Sequence, residues 1–166
     1  MRARLVILSV GLLVALVLGG CSMFFLDRGG GDGTISGRIV RIEATAYCPC
    51  GACCGWKLDR HGRPVLASGR HRGKPKAVGI TASGVRAHPG TLAADTRYYP
   101  MGTVIYVPGY GYGVVEDRGG DIKGRRRLDL FFNTHQEARV WGRRKIQAVV
   151  FPPGTPVMPQ NALPPR

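Results

Sequence analysis

The chain has 166 residues and carries 24 Lys and Arg against 10 Asp and Glu, a formal net charge of +14 at neutral pH. The length suits one domain with a modest core, and the charge favours a polyanionic partner: nucleic acid, an anionic membrane face or an acidic cell-wall polymer. With 25 Gly, 12 Pro and little helical periodicity, the composition points away from a helical bundle and toward a mainly β fold with many turns.

Met1-Arg2-Ala3-Arg4 is a basic leader, and 5–20 is an apolar run broken only by Ser9. Together they predict a secretory signal over 1–20. Leu18-Gly19-Gly20-Cys21 resembles the bacterial lipobox, which makes Cys21 the predicted lipidation site. The other reading is an uncleaved anchor, since 5–26 is uncharged and long enough to span a bilayer. Both readings export the rest of the chain and hold it at the membrane of a cell envelope, which sets nucleic acid aside as a partner. Residues 21–37, rich in Gly, read as a flexible tether.

The folded domain is expected over 38–152. Val40, Ile42, Ala44 and Ala46 alternate with Arg41, Glu43, Thr45 and Tyr47, the pattern of a half-buried strand. Cys48, Cys50, Cys53 and Cys54 follow within seven residues. An even number of cysteines in an exported chain points to disulfides, with three connectivities open. Adjacent Cys53 and Cys54 make a strained pair. A metal cluster is the rival, but the spacing lacks two distant Cys-x-x-Cys arms, so no metal and no cofactor are expected.

The basic stretch 56–76 reads as a long surface loop, and 81–94 as two short strands around His88-Pro89-Gly90. Strands are predicted at 103–107, 114–117, 128–132 and 145–151, with turn chemistry at 108–113. Thr134-x-x-Glu137 is a capping box that opens one short helix, closed by Gly142. Residues 153–166 are a Pro-rich tail.

Five of the ten acids fall between Asp95 and Asp129. Asp95 and Asp117 end apolar strands, and Asp129 sits between Leu128 and Leu130, on the opposite face from both. Apolar strands do not carry unpaired carboxylates cheaply, so such residues are paired, protonated or functional. Taken singly, each reads as a turn cap or an ion pair with Arg125-Arg126-Arg127; taken together, beside Gly119 and Gly120, they read as a site. Glycine there permits close approach of a ligand, and Lys123 and Arg118 could hold substrate carboxylates. Glu116 and Asp121 read as solvated rim residues.

The order Thr45-Ala46-Tyr47-Cys48-Pro49, Cys53-Cys54-Gly55, Thr81-Ala82-x-Gly84, Ala93-Ala94-Asp95, Tyr99-Pro100-Met101-Gly102-Thr103, Gly109-Tyr110-Gly111, Glu116-Asp117-x-Gly119-Gly120-x-Ile122-Lys123-Gly124, Asp129 and Ala138-x-x-Trp141-Gly142-Arg143 resembles the three-aspartate (3D) domain. That family is similar to the catalytic barrel of membrane-bound lytic transglycosylase A and to stationary-phase-survival muralytic proteins. The resemblance implies a double-psi β-barrel with one short helix. It also implies cleavage of peptidoglycan at the MurNAc–GlcNAc β-1,4 bond, with a 1,6-anhydro ring closed by the sugar's own C6 hydroxyl. The family's aspartates fall on Asp95, Asp117 and Asp129, the last as the single acid and base. Thr45, Tyr47, Gly119, Gly120 and Lys123 are the expected substrate-binding residues. A non-catalytic glycan-binding barrel on a cell-envelope lipoprotein is the alternative, because a fold alone does not fix catalysis.

The remaining motifs read plainly. His61, His71, His88 and His135 are scattered and expected at the surface. Trp141 is expected to pack the helix on the barrel. Tyr110 and Tyr112, at a turn, read as sugar platforms or hairpin decoration.

Overall fold

A computed structural model of the chain describes residues 36–156. The lipidation, anchor and tether expectations, and most of the Pro-rich tail, lie outside these residues. Among the described residues no helix is long and apolar enough to cross a membrane.

Strands β1 (Arg38–Tyr47), β4 (Thr91–Ala94), β5 (Val104–Val107), β6 (Gly111–Asp117), β7 (Arg127–Phe131) and β8 (Arg144–Phe151) close into a barrel in the order β1-β7-β4-β6-β5-β8. Closure leaves no unpaired barrel edge. Two pairs are parallel, β1 with β7 and β4 with β6; the others run antiparallel. The chain is therefore mainly β, with a closed double-psi barrel as expected.

The barrel interior takes one residue in two from each strand. Ile42 and Ala44, Leu92 and Ala94, Ile105 and Val107, Val115, Leu128 and Leu130, and Ala148 form one buried cluster. Gly113 lets β4 and β6 approach closely, since a Cβ there would lie 2.6 Å from the Gly90 carbonyl and 2.7 Å from Leu92 Cγ.

Helix α2 (His135–Trp141) has the predicted capping box: Thr134 Oγ1 accepts from the Glu137 N–H, and Glu137 Oε2 accepts from the Thr134 N–H. Trp141 ends the helix inside the core, edge-on to Tyr110 and tilted against Phe132. Thr134→Ala is expected to lower stability by about 1 kcal/mol, the usual cost of losing such a cap; chemical denaturation monitored by circular dichroism checks this.

Two expectations about loops are corrected. The stretch 56–76 contains a hairpin, β2 (Trp56–Leu58) paired with β3 (Pro64–Leu66), and Pro75 bridges to Val65. Asp59 organises the hairpin turn, accepting backbone N–H bonds from His61 and Arg63. Of the two strands expected over 81–94, only β4 forms; the other is reduced to a single Ile80–Arg86 bridge. The cysteine segment adds an unforeseen one-turn helix, α1 (Gly51–Cys54).

Candidate active site

Backbone register assembles the site on the outer face of the barrel. Thr45 on β1 pairs with Asp129 on β7, Asp129 pairs with Ala93 on β4, and Ala93 pairs with Asp117 on β6. These four residues form one row across four strands. The last step depends on an irregularity between Leu92 and Ala93, where the partner jumps from Val115 to Asp117 and Glu116 is passed over. Such a bulge re-aims side chains. Here it brings Asp117, not Glu116, into line with Asp129, two strands and roughly 10 Å away.

Asp129 is half-buried while both Leu neighbours are fully buried. Thr45 Oγ1 donates to Asp129 Oδ1 at 2.7 Å. The carboxyl pKa is raised above the ordinary range, first by burial and further by the Asp117 charge; the Thr45 hydroxyl and the Arg143 charge oppose that rise without cancelling it. Asp129 and Thr45 line a cavity of about 220 Å³, together with Tyr47, Ile122, Arg127 and Arg143.

Asp117 is a fixed acceptor. Its Oδ1 takes N–H bonds from Ala82 at 2.9 Å and Arg118 at 2.8 Å, and its Oδ2 accepts from the Tyr47 hydroxyl at 3.1 Å. Burial, then the Asp117 charge, push the Tyr47 phenol far above its usual value, so it stays a proton donor to that bond. Its ring packs edge-on against Phe131, 5.4 Å between centroids.

Asp95 is a different kind of acid. It is buried, Arg97 grips both its oxygens at 3.0 and 2.7 Å, and the Gly124 N–H adds a bond at 2.8 Å. These partners, the Arg97 side chain foremost, hold its carboxyl well below the usual carboxylate range. A carboxylate so held has no proton to give. It is the clamp that ties the loop after β6 to the end of β4.

All three aspartates lie within residues 90–152, which match the family described as the 3D domain. Two curated proteins of Bacillus subtilis (strain 168) are similar to the chain. YabE, a proposed cell wall shaping protein, is 27% identical over 117 residues, 68% of this chain and 23% of YabE. The cell wall-binding protein YocH is 33% identical over 76 residues, 43% of this chain and 26% of YocH. The matched part thus spans about a quarter of each relative. Two crystal structures of MltA from Escherichia coli are also similar, at TM-scores of 0.37 and 0.36 and identities of 23% and 22%, each covering 49% of this chain and 30% of theirs.

Several expected roles move. Gly119 and Gly120 do not line the cavity that holds Asp129. Gly119 instead makes room for Ile122, whose Cγ1 would lie 2.4 Å from a Cβ there. It is Ile122, with Asp121, that reaches the cavity wall. Lys123 opens into a separate basic cleft with Arg41, Arg125, Arg126 and Lys145. Glu116 is not merely solvated: it accepts from the buried Thr91 hydroxyl at 2.7 Å and pairs with His88 at 3.5 Å. Tyr110 is a strut rather than an exposed ring, its hydroxyl accepting from the Gly90 N–H and donating to the Phe131 carbonyl, both at 2.8 Å. Trp141 packs the helix on the barrel as expected.

The four cysteines are free thiols in this structure, and Cys48 and Cys53 Sγ stand 3.7 Å apart. His135 is exposed, as expected for a surface histidine, yet its Nδ1 faces the sulfurs of Cys48, Cys50 and Cys53. No spacing rule connects residues 82 positions apart.

Proposed function

We propose that this chain is a lytic transglycosylase of the 3D-domain kind that cleaves peptidoglycan glycan strands, with Asp129 as the single acid and base. The observation that carries the reading is Asp129 itself: a half-buried carboxyl on a cavity wall, its pKa raised by burial and further by the Asp117 charge. A glycosidic oxygen is a poor leaving group and needs a protonated acid. Asp129 gives its proton to that oxygen as the C1–O bond breaks. The C6 hydroxyl oxygen then bonds to C1, and its proton passes to the Asp129 carboxylate, which restores the acid. Holding that hydroxyl in line makes the attack intramolecular.

The other residues take supporting roles in this reading. Asp117 keeps the Asp129 proton in place and, with Tyr47, closes one end of the row. Thr45 orients the Asp129 carboxyl. Arg127 and Arg143 line the cavity paired with Glu43, and the separate cleft of Arg41, Lys123, Arg125, Arg126 and Lys145 is the basic surface suited to an anionic wall polymer. The cell-wall names of YabE and YocH support a peptidoglycan partner and a place outside the cytoplasm, and the leader over 1–21 supports tethering at the membrane.

The name of YocH also favours a second reading, a barrel that grips glycan without cutting it. Incubating the full-length protein with purified sacculi separates the two. Mass spectrometry should find 1,6-anhydro-muropeptides. Reducing-end sugars would replace the mechanism with hydrolysis, and sedimentation with sacculi without soluble product would leave a binder.

The pH profile offers a further check with a definite sign. The protonated form of Asp129 is the active one, so activity should fall as pH rises through its raised pKa. Asp117→Asn removes a like charge, lowers that pKa and should move the falling limb to lower pH. Thr45→Val removes a bond to the carboxylate and should move the limb to higher pH. Rates of anhydro-sugar release measured across pH for the three proteins check both shifts.

A further inference from the structure

We infer that Cys48, Cys50, Cys53 and His135 form a closed structural zinc site at the edge of the candidate active site. The inference is independent of what the barrel does to glycans.

The four ligand atoms all lie within 4.8 Å of one another. A tetrahedral zinc ion with Zn–S near 2.3 Å and Zn–N near 2.05 Å requires S···S separations of about 3.8 Å and S···N separations of about 3.6 Å. Cys48 and Cys53 sulfurs are 3.7 Å apart. His135 Nδ1 is 3.4 Å from Cys53 Sγ, 3.6 Å from Cys50 Sγ and 3.9 Å from Cys48 Sγ. Four of the six edges of a zinc tetrahedron are therefore already near their required lengths, and the two remaining S···S edges, from Cys50 to Cys48 and to Cys53, lie within 4.8 Å. A disulfide would need an S–S length near 2.05 Å and would consume two of the four corners.

The chain supplies these ligands from three anchored places. Cys48 follows the last residue of β1 and is buried. Cys50 and Cys53 flank Gly51-Ala52, which makes them one ordinary Cys-x-x-Cys arm folded on α1. His135 is the first residue of α2, positioned by the Thr134–Glu137 capping box. The fourth cysteine is sorted out of the set. Cys54 Sγ turns away to donate to the Cys48 carbonyl at 3.1 Å, and the residue packs against Tyr47, Ala93 and Phe131.

Chemistry narrows the ion. Three thiolates and one imidazole are soft to borderline ligands in tetrahedral array, which suits Zn(II) over Ca(II) or Mg(II). Four protein ligands leave no open position, the mark of a structural rather than catalytic zinc. Binding releases three thiol protons to solvent and moves no electrons, so no oxidant is required. The centre carries one net negative charge, and Arg139 and Arg143 line the hollow beside Cys53 and His135.

The consequence is positional. Cys53 also lines the cavity that holds Asp129 and Thr45. A metal there joins α2 and the α1 segment to Cys48, the residue that follows Tyr47 at the end of β1, and so fixes one wall of that cavity.

The test uses the full-length protein, expressed and purified without chelator. Elemental analysis should find one zinc per chain after dialysis. Replacement by cobalt should give thiolate-to-cobalt charge-transfer bands and the d–d absorption of a tetrahedral ion. X-ray absorption should report three sulfurs and one nitrogen. Cys50→Ser and His135→Ala should lose the ion or bind it with altered spectra, whereas Cys54→Ser should keep one equivalent and the same spectrum. Because the first two variants could unfold, Cys54→Ser and the cobalt spectrum of the unsubstituted protein carry the decision. No zinc retained, a disulfide among Cys48, Cys50 and Cys53 in the unreduced protein, or loss of metal in Cys54→Ser would overturn the site.

Discussion

Asp129→Asn is expected to reduce release of anhydro-sugar fragments from sacculi by ~10²–10⁴-fold, the span that a positioned acid and base supplies, while leaving the barrel folded. Asparagine keeps the shape of the side chain and can still accept from Thr45 Oγ1. It cannot give or take the proton. The folded protein should gain or hold stability at neutral pH, and the sign follows from linkage. A carboxyl whose folded pKa is raised contributes stability below its unfolded pKa and loses it as pH rises through the folded value. Neutral pH lies above the unfolded value, near 3.9 for aspartate, so stability is already being lost there, and a neutral amide removes that loss. Digestion of sacculi followed by mass spectrometry, alongside thermal melts, checks both halves. Undiminished product from Asp129→Asn would take Asp129 out of the mechanism. Lost product with a lowered melting temperature would mean that the residue serves the fold.

Much of this site is legible in the chain before any coordinates, and the reason is periodicity. Leu128-Asp129-Leu130 announces a strand with an acid on the face away from the core, and the barrel places it there. The capping box at Thr134 announces α2. What stays hidden is whatever depends on pairing between distant strands. Glu116 and Asp117 are adjacent acids, and the sequence, which favours Asp117 and leaves Glu116 to solvent, gives no register for either. Only the irregularity opposite Leu92 and Ala93 sends Asp117 into the row and leaves Glu116 to Thr91. The Gly119-Gly120 pair reads as room for a ligand, but the room at Gly119 is taken by Ile122. Cys48, Cys50 and Cys53 are visible as a cluster, yet their partner His135 arrives from a helix whose approach is set by Trp141 in the core. Local signals name the residue types; the closure of the barrel decides which of them meet.

Asp95→Asn should separate the three aspartates by function. It is expected to lower the melting temperature at neutral pH clearly more than Asp59→Asn, which removes an exposed ion pair with Arg63 of the kind worth little. The Asp95 carboxylate is buried, doubly held by Arg97, and bonded to the Gly124 N–H. An amide cannot satisfy all of these donors: with its oxygen facing Arg97 Nη2 and the Gly124 N–H, its NH2 would meet the Arg97 Nε–H and backbone N–H that Oδ1 accepts from. The pH dependence has the opposite sign to that at Asp129. A depressed folded pKa contributes stability above the unfolded value, near 3.9 for aspartate, and that stability is lost as pH falls below it. The native protein should therefore weaken on acidification below about pH 4 more steeply than Asp95→Asn, whose melting temperature is already low and changes less over that range. In cleavage assays run below its own melting temperature, Asp95→Asn should keep the falling limb of the native pH profile, since Asp117 and not Asp95 sets the charge that Asp129 feels. A shifted limb would place Asp95 in the proton chemistry. An unchanged melting temperature would mean that the Arg97 and Gly124 bonds contribute nothing, and the loop after β6 would then need another anchor.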